Sequence, residues 1–346
     1  MDLPANIPSR LLLQPSRLAI AQTQARLDQA QAEVATGRHA DIGLTLGGQT
    51  GSSMRMRIEL SAIDFSMSGI KQAATRAEIT QTSLRSLSTL LDRFRSSLTA
   101  ARSGENGRGT LESATISSME AMQDLLSASY DGQYLFSGLR TDTPPLKKYD
   151  EGPRLAVVGA FEAEFGFAPE DPAAALLTGP QIEDFIANSL ENLFLGPGWQ
   201  AEWSNATDTL PDFRVSPNQS VALATSANAA FVRKLAQSFS IVDVLGRSAI
   251  GNGAFEAAID SAMAMISDAQ ISMGQEQARI GFGQAALKEA EPVLNEKKIS
   301  LTSAIQSLEN VSSYEVATRV TLLMTQLESS YALTARMGKL SLLSYI

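Results

Sequence analysis

Apolar residues recur at helical spacing along most of this chain. The clearest run is Leu84, Leu87, Leu91, Phe94 and Leu98, in steps of three and four, which places one continuous stripe along one helix face. Extended back through Ala77, Ala73 and Ile70 toward Ile58, it predicts a helix of about 44 residues, roughly 66 Å at 1.5 Å per residue. Such a helix exceeds the usual globular length. Further helices are marked by Leu111, Met119, Met122 and Leu126, by Val221, Phe231, Leu235, Phe239 and Val242, and by Phe255, Ile259, Ala262, Ile266 and Met273. Pro292 in "EAEPVLNEKKI" is expected to kink or break the last of these, because an interior proline lacks the N–H the ladder needs.

The two ends carry a sparser repeat. Leu13, Ile20, Leu27 and Val34 follow one another every seven residues, with Ser16, Thr23 and Ala30 between them. Near the other end Val316, Val320, Leu323 and Leu327 continue as Ser330, Thr334, Met337 and Ser341. Both read as coiled-coil seams. With so many small or polar members, either helix alone buries little, so each needs a partner: the opposite end of its own chain, or the same ends of neighbouring chains. A seam at each end favours antiparallel pairing. The chain closes on Leu340, Leu342, Leu343, Tyr345 and Ile346, an apolar hook where termini are usually polar and frayed.

Charge divides the chain further. Residues 1–103 hold 12 Lys or Arg against 8 Asp or Glu, whereas residues 150–213 hold 12 acidic residues and one basic, Arg154. That acidic segment also holds Trp199, Trp203 and the turn signals "PEDP", "TGP" and "LGPGW". It reads as a compact module inserted into something helical. The net charge of −9 argues against nucleic acid and anionic membranes as partners, since both are held by clustered Lys and Arg. No cysteine is present, which removes disulfides, thiolate catalysis and Cys-ligated zinc. No apolar run approaches the roughly 18 residues of a membrane span, and the N-terminus lacks a basic region followed by a long apolar one.

Candidate chemistry is sparse. A Ser-His-Asp triad would have to use His39, the only histidine, which follows Thr36-Gly37 in an expected loop and reads as a solvent-exposed turn residue. The acidic pairs of "APEDP" and "QIEDF" point in different directions and read as solvated surface. "RIGFGQ" lacks the Lys-Ser/Thr of a phosphate loop. Trp199 and Trp203 could offer a face to a carbohydrate, but burial in a small β-rich core is the better reading. Asn205 in "NAT" matches a glycosylation acceptor pattern, a short match by itself. No catalytic residue, cofactor or metal site is expected. A soluble signalling coiled coil remains an alternative on the heptads alone, and an enzyme in the central module is disfavoured by its lack of histidine.

Three stretches carry a family resemblance. "LDQAQAEVATGRHADIGLTLGGQTGSSMRMRIE" resembles the flagellin N-terminal segment, in which a helix ends at an S/T-G-[KR] turn, here Thr36-Gly37-Arg38, and a long helix resumes near Met54. "YDGQYLFSGLRTDTPPL" resembles the G-x-Y-x-F-[SA]-G…T-x-P signature through Gly132, Tyr134, Phe136, Ser137, Gly138, Thr143 and Pro144. "NVSSYEVATRVTLLMTQLESSYALTARMGKLSLLSYI" is similar to a C-terminal helix closing on L-S-L-x-x-Y-[LI]. The chain thus resembles the flagellin-like axial proteins of bacterial flagella, with the second stretch favouring the members at the hook-filament junction over the filament flagellins. The usual N-x-A-x-D-D of the N-terminal loop is replaced around Gly47-Gly48, and the central acidic segment matches nothing in the family.

The resemblance implies a structural, non-enzymatic subunit that self-associates in a ring, meets a neighbouring hook-associated protein and flagellin, and is shielded by a cytoplasmic export chaperone. It implies an extracellular place on the flagellum, reached without a cleaved signal peptide and without membrane insertion. The implied assembly interface is Leu13, Ile20, Leu27, Val34, Val316, Val320, Leu323, Leu327 and Met337, together with Leu340, Leu342, Leu343 and Ile346 of the closing hook. The expected fold is mainly α, a long antiparallel helical rod or coiled-coil bundle with an inserted α/β module. Five regions are expected: a terminal helix over 1–40, the first half of the rod over 41–140, the module over 141–220, the return half over 221–304 and a terminal helix over 305–346.

Overall fold

A computed structural model describes residues 9–104, 107–216 and 219–343. The fold is mainly α, with long helices and two small sheets. In chain order the principal elements are α1 (Ser9–Thr36), α2 (Ile42–Leu46), α3 (Thr50–Arg102), α4 (Arg108–Leu126), the hairpin β1 (Ser129–Tyr130) and β2 (Gln133–Tyr134), and α5 (Pro153–Phe165). After these come the short helices α6 (Gly179–Asp184) and α7 (Glu191–Phe194), the hairpin β3 (Phe213–Ser216) and β4 (Gln219–Val221), and the helices α8 (Ala230–Arg247), α9 (Asn252–Glu309) and α10 (Ser313–Leu343). The chain contacts divide into two compact units, Met1–Phe65 with Leu294–Ile346, and Ser66–Val293.

In the first unit α1 and α10 pair antiparallel. Leu27 and Ala30 of α1 pack on Val316 and Leu323 of α10, with Val311, Val320 and Leu327 partly buried against them. The antiparallel sense is fixed by polar links of opposite drift: Gln24 Nε2 donates to the Tyr331 hydroxyl at 2.7 Å, and Arg319 Nη1 to Glu33 Oε2 at 3.0 Å. The start of α3 and the end of α9 run beside each other through Lys297–Glu59 at 2.5 Å and Lys298–Asp64 at 2.7 Å.

In the second unit the expected stripe is the core. Ile70, Ala73, Ala77, Leu84, Leu87, Leu91, Phe94 and Leu98 are all buried. They belong to a helix of 53 residues that begins at Thr50. Antiparallel α9 lies alongside, tied by Arg102 to Asp260 (2.6 and 2.8 Å) and by Gln270 Nε2 to Asp92 Oδ1 (2.9 Å). Between them α8 is buried on nearly every face from Phe231 to Leu245, as a central helix must be, and Phe239 meets Phe94 edge-on at 4.7 Å.

Pro292 does not break its helix. Residues 291–293 are exposed and α9 continues to Glu309, so the carbonyl left without its ladder partner can be met by water. The interruption falls at Asn310–Ser312 instead. There Glu315 N–H is within 3.4 Å of Ser312 Oγ, a serine starting α10 with a glutamate three residues on, which satisfies donors a new helix leaves open.

The segment from Pro144 to Asp212 consists of the 13-residue α5 and a series of short helical turns, with an isolated bridge Leu146↔Ser204 at its base and the β3–β4 hairpin beyond it. Its core is aromatic. Trp199 and Trp203 are fully buried and stacked at 5.5 Å with 8° between their planes, and Phe194 packs on Trp203 at 5.2 Å. Trp199 Nε1 and Ser204 Oγ both donate to Asn228 Oδ1, at 2.8 and 2.5 Å. The tryptophans are therefore core residues, in a helical setting rather than a β-rich one.

Candidate functional site

The corner where α1 ends and α9 gives way to α10 gathers the densest polar contacts of the first unit. Gly37 adopts φ +68, the left-handed conformation that commonly closes a helix and that glycine enters without a Cβ penalty; its N–H returns to Glu33 O at 2.8 Å. The released strand then bonds to the other crossing. Val311 N–H donates to Gly37 O at 3.1 Å and His39 N–H to Glu309 O at 3.0 Å, around the antiparallel bridge Arg38↔Asn310.

Two carboxylates hold this crossing. Glu309 has no side-chain exposure, yet it accepts from Ser53 Oγ, from Arg57 Nη2 and, at 2.8 Å, from Arg57 Nε, with Arg38 Nη1 3.9 Å away. The forked bond from Arg57 is the geometry in which guanidinium and carboxylate interact most strongly. Those bonds hold the Glu309 carboxyl below its ordinary value, against the opposing pull of burial, with Ser53 and Arg38 adding to the effect. Glu33 accepts from Arg319 and from the Ala40 N–H at 3.2 Å, and His39 Nδ1 lies 3.7 Å away. His39 is thus half-buried in the corner rather than a free surface residue.

The sequence seam is only partly the packed one. Leu27, Val316 and Leu323 are buried, and Val320 and Leu327 pack beside them. Ile20 is half-buried. Val34 does not pack in the pairing of α1 with α10 and is 47% exposed, because the buried face of α1 runs Thr23, Leu27, Ala30, Glu33, in steps of four, three and three. The charged Glu33 takes the inward place and finds Arg319 there. The side chains of Leu13, Met337, Leu340, Leu342 and Leu343, and Ile346 altogether, lie outside the described residues. Among the described residues no three acidic or histidine side chains cluster to hold a metal, and no helix is long and apolar enough to cross a membrane.

In the second unit the "DGQYLFSG" stretch forms the neck of the central segment. Asp131 (φ 52) and Gly132 (φ 72) make the two-residue turn between β1 and β2, the Asp-Gly hairpin expected when both positions need positive φ. Phe136 and Ser137 are fully buried. Ala227 N–H donates to Phe136 O at 2.8 Å, Thr207 N–H to Ser137 O at 3.2 Å and Ser137 Oγ to Thr143 O at 2.7 Å. Asn205 reaches Pro144 O with its side chain and Pro145 O with its backbone N–H, at 3.1 and 3.0 Å. The outgoing and returning strands of the segment are therefore both stitched to this one stretch. Gly138 sits at φ +64, where an added Cβ would lie 2.5 Å from Thr207 O. We expect Gly138→Ala to lower the stability of this unit by about 2 kcal/mol or more, since the left-handed conformation alone costs about 1–2 kcal/mol for a residue with a Cβ; an unchanged thermal midpoint would contradict this reading of the neck.

Similarities to known proteins follow the same geography. Residues 11–141 match the bacterial flagellin N-terminal helical region, and residues 258–346 the bacterial flagellin C-terminal helical region. Together these take in well over half of the chain. The chain belongs to the flagellin-like family. Among solved structures it is similar to the "Structure of putative flagellar hook-associated protein from Vibrio parahaemolyticus", at 15% identity and a TM-score of 0.51, over 75% of this chain and 97% of that one. At that identity the likeness is one of fold. No curated protein matches the chain. Membership of a flagellin-like family points to a structural role in the flagellum rather than an enzymatic one, and the corner and neck described above are then structural joints of a flagellar subunit.

Sequence reading missed Glu309, Arg57 and Ser53 as a group. Ser53 and Arg57 lie one turn apart on α3, but Glu309 is 252 residues beyond Arg57, and the one signal was Glu309 itself, a charge at the last turn of an otherwise continuous helix beside "NVSS".

Proposed function

We propose that this subunit is the adaptor at the distal end of the hook, forming a ring on which the flagellin filament begins. The observation that carries the reading is the Gly132–Pro144 signature, whose turn, buried Phe136 and Gly138 hold the central segment to the helical body. The fold likeness to a protein described as hook-associated supports it. In this reading the two terminal helices make the inner contacts with neighbouring copies, with a hook-associated protein on one side and flagellin on the other. The 141–220 module faces outward and varies freely. The closing hook, Leu340, Leu342, Leu343 and Ile346, is covered by neighbours after assembly and by a cytoplasmic chaperone before it, and the chain leaves the cell through the flagellar export apparatus without a cleaved signal.

Deletion of the gene is the test. Bare hooks with monomeric flagellin shed into the medium are expected, because export continues while the filament has no base. Bare hooks with no other flagellin secreted would make this chain the filament subunit itself, and intact filaments would remove both roles.

A further inference from the structure

The second unit contains a groove of about 1250 Å³ between α4 and the 144–155 segment, a size suited to a ligand of several rings. One wall is α4, which presents Glu120, Gln123 and Asp124; the other is Arg154 at the start of α5. Tyr134 and the apolar side chains of Ile116 and Leu155 also line it. Glu120 and Asp124 are exposed and one helical turn apart, and neither side chain has a partner among the described residues.

The opposite wall is rigidly built. The Asp243 carboxylate is 2% exposed and accepts from the Tyr149 hydroxyl at 2.9 Å, Arg154 Nε at 3.1 Å and Arg247 Nε at 2.9 Å. Arg247 is further bound to Glu112 at 2.9 Å. Burial, together with the Asp243 charge, pushes the Tyr149 phenol well above its ordinary value, so this hydroxyl stays a donor and the network keeps its sense. Arg154 is fixed through Nε alone, which leaves its two terminal nitrogens without a partner among the described residues. The groove thus sets a fixed pair of donors across from free carboxylate and amide acceptors.

That arrangement selects by chemistry. An anion meets Glu120, Asp124 and Asp150; a cation meets the free terminal nitrogens of Arg154, while Arg247 and Lys148 are already paired with Glu112 and Glu151. An apolar ligand would desolvate Glu120, Asp124 and the free terminal nitrogens of Arg154 without replacing their water, at a cost for each group. A neutral ligand dense in hydroxyls satisfies both walls, because adjacent hydroxyls accept from a guanidinium fork and donate to carboxylates, while its C–H faces pack on Tyr134, Ile116 and Leu155. We propose that this groove binds a neutral polyhydroxylated ligand, a short uncharged oligosaccharide. The inference does not depend on where the subunit sits in the flagellum.

The test uses the full chain with lactose, maltose and N,N′-diacetylchitobiose, followed by saturation-transfer NMR and titration. At least one is expected to bind with a Kd of about 10 mM or tighter, and Arg154→Gln to weaken it about tenfold or more. Because Arg154 also pairs with buried Asp243, the double variant Glu120→Ala/Asp124→Ala provides a second reading: the same loss of binding with an unchanged thermal midpoint. Silence from all three sugars, binding undiminished in the double variant, or tighter binding of glucose 6-phosphate than of any neutral sugar would each overturn the proposal.

Discussion

Replacing Leu323 by glutamate is expected to separate α10 from α1 and to stop assembly, while residues 66–293 stay folded. Leu323 lies in the small cluster with Leu27, Ala30 and Val316, and few other apolar side chains hold these two helices together. Removing one buried leucine costs about 1.5–3 kcal/mol, and an ionised carboxylate in its place adds a desolvation cost that Arg319, one turn back on α10 and already bound to Glu33, offsets only in part. The nearest ion pair of the seam, Arg319 with Glu33, already has its carboxylate. Helices of this kind owe most of their stability to packing rather than to their own propensity, so fraying should spread along both. Hydrogen exchange would read this as lost protection across α1 and α10 with unchanged protection in α3 beyond Ser66, α4 and α8. Normal filaments on cells carrying the variant would remove this seam from any role in assembly.

Glu309→Gln should be nearly as damaging, although it keeps the shape of the side chain. The glutamine cannot accept the forked bond of Arg57 as a carboxylate does, and hydrogen bonds to charged groups are worth about 1.5–3 kcal/mol each way. A loss of about 2–3 kcal/mol in the first unit is expected, after allowing for the partial exposure of Arg57 and Arg38. The effect carries a pH signature. The folded-state pKa of Glu309 is lowered from its reference value of 4.5, so its stabilisation is complete above that pH and is lost as pH falls through the lowered value. Urea midpoints of wild type and variant should therefore differ at neutral pH and converge in acid; a constant gap at all pH values would mean that the Glu309 charge does not hold the corner.

The long helices were legible because their signal is repeated: from Ile70 to Leu98 each step of three or four lands on the same buried face, and one discordant residue would not have hidden it. Burial of the tryptophans followed from size alone. Within one chain the packing of α1 on α10 follows the seven-residue count only up to Ala30. A strict seven-residue count keeps Val34, but a straight helix of 3.6 residues per turn drifts from that register, and the inward place passes to Glu33. A charge in a seam looks like an error until its partner is known, and Arg319 is 286 residues away. Of the kink or break expected at Pro292, the break is absent for the opposite reason: the rule against interior prolines is local, and the exposed position of this one lets water take the missing bond. The Glu309 corner and the groove beside Asp243 are built from residues that meet only in three dimensions, so no spacing in the sequence announces them. The neck was visible as a motif, though its physical purpose, tying both strands of the central segment to one buried stretch, emerges only from the hydrogen bonds.

The most direct measurement of the proposed role is immunogold labelling of intact flagella with antibodies against residues 150–210. A single narrow band at the distal end of each hook is the expected result, as an adaptor ring requires; label distributed along the whole filament would contradict it and make this chain a filament subunit.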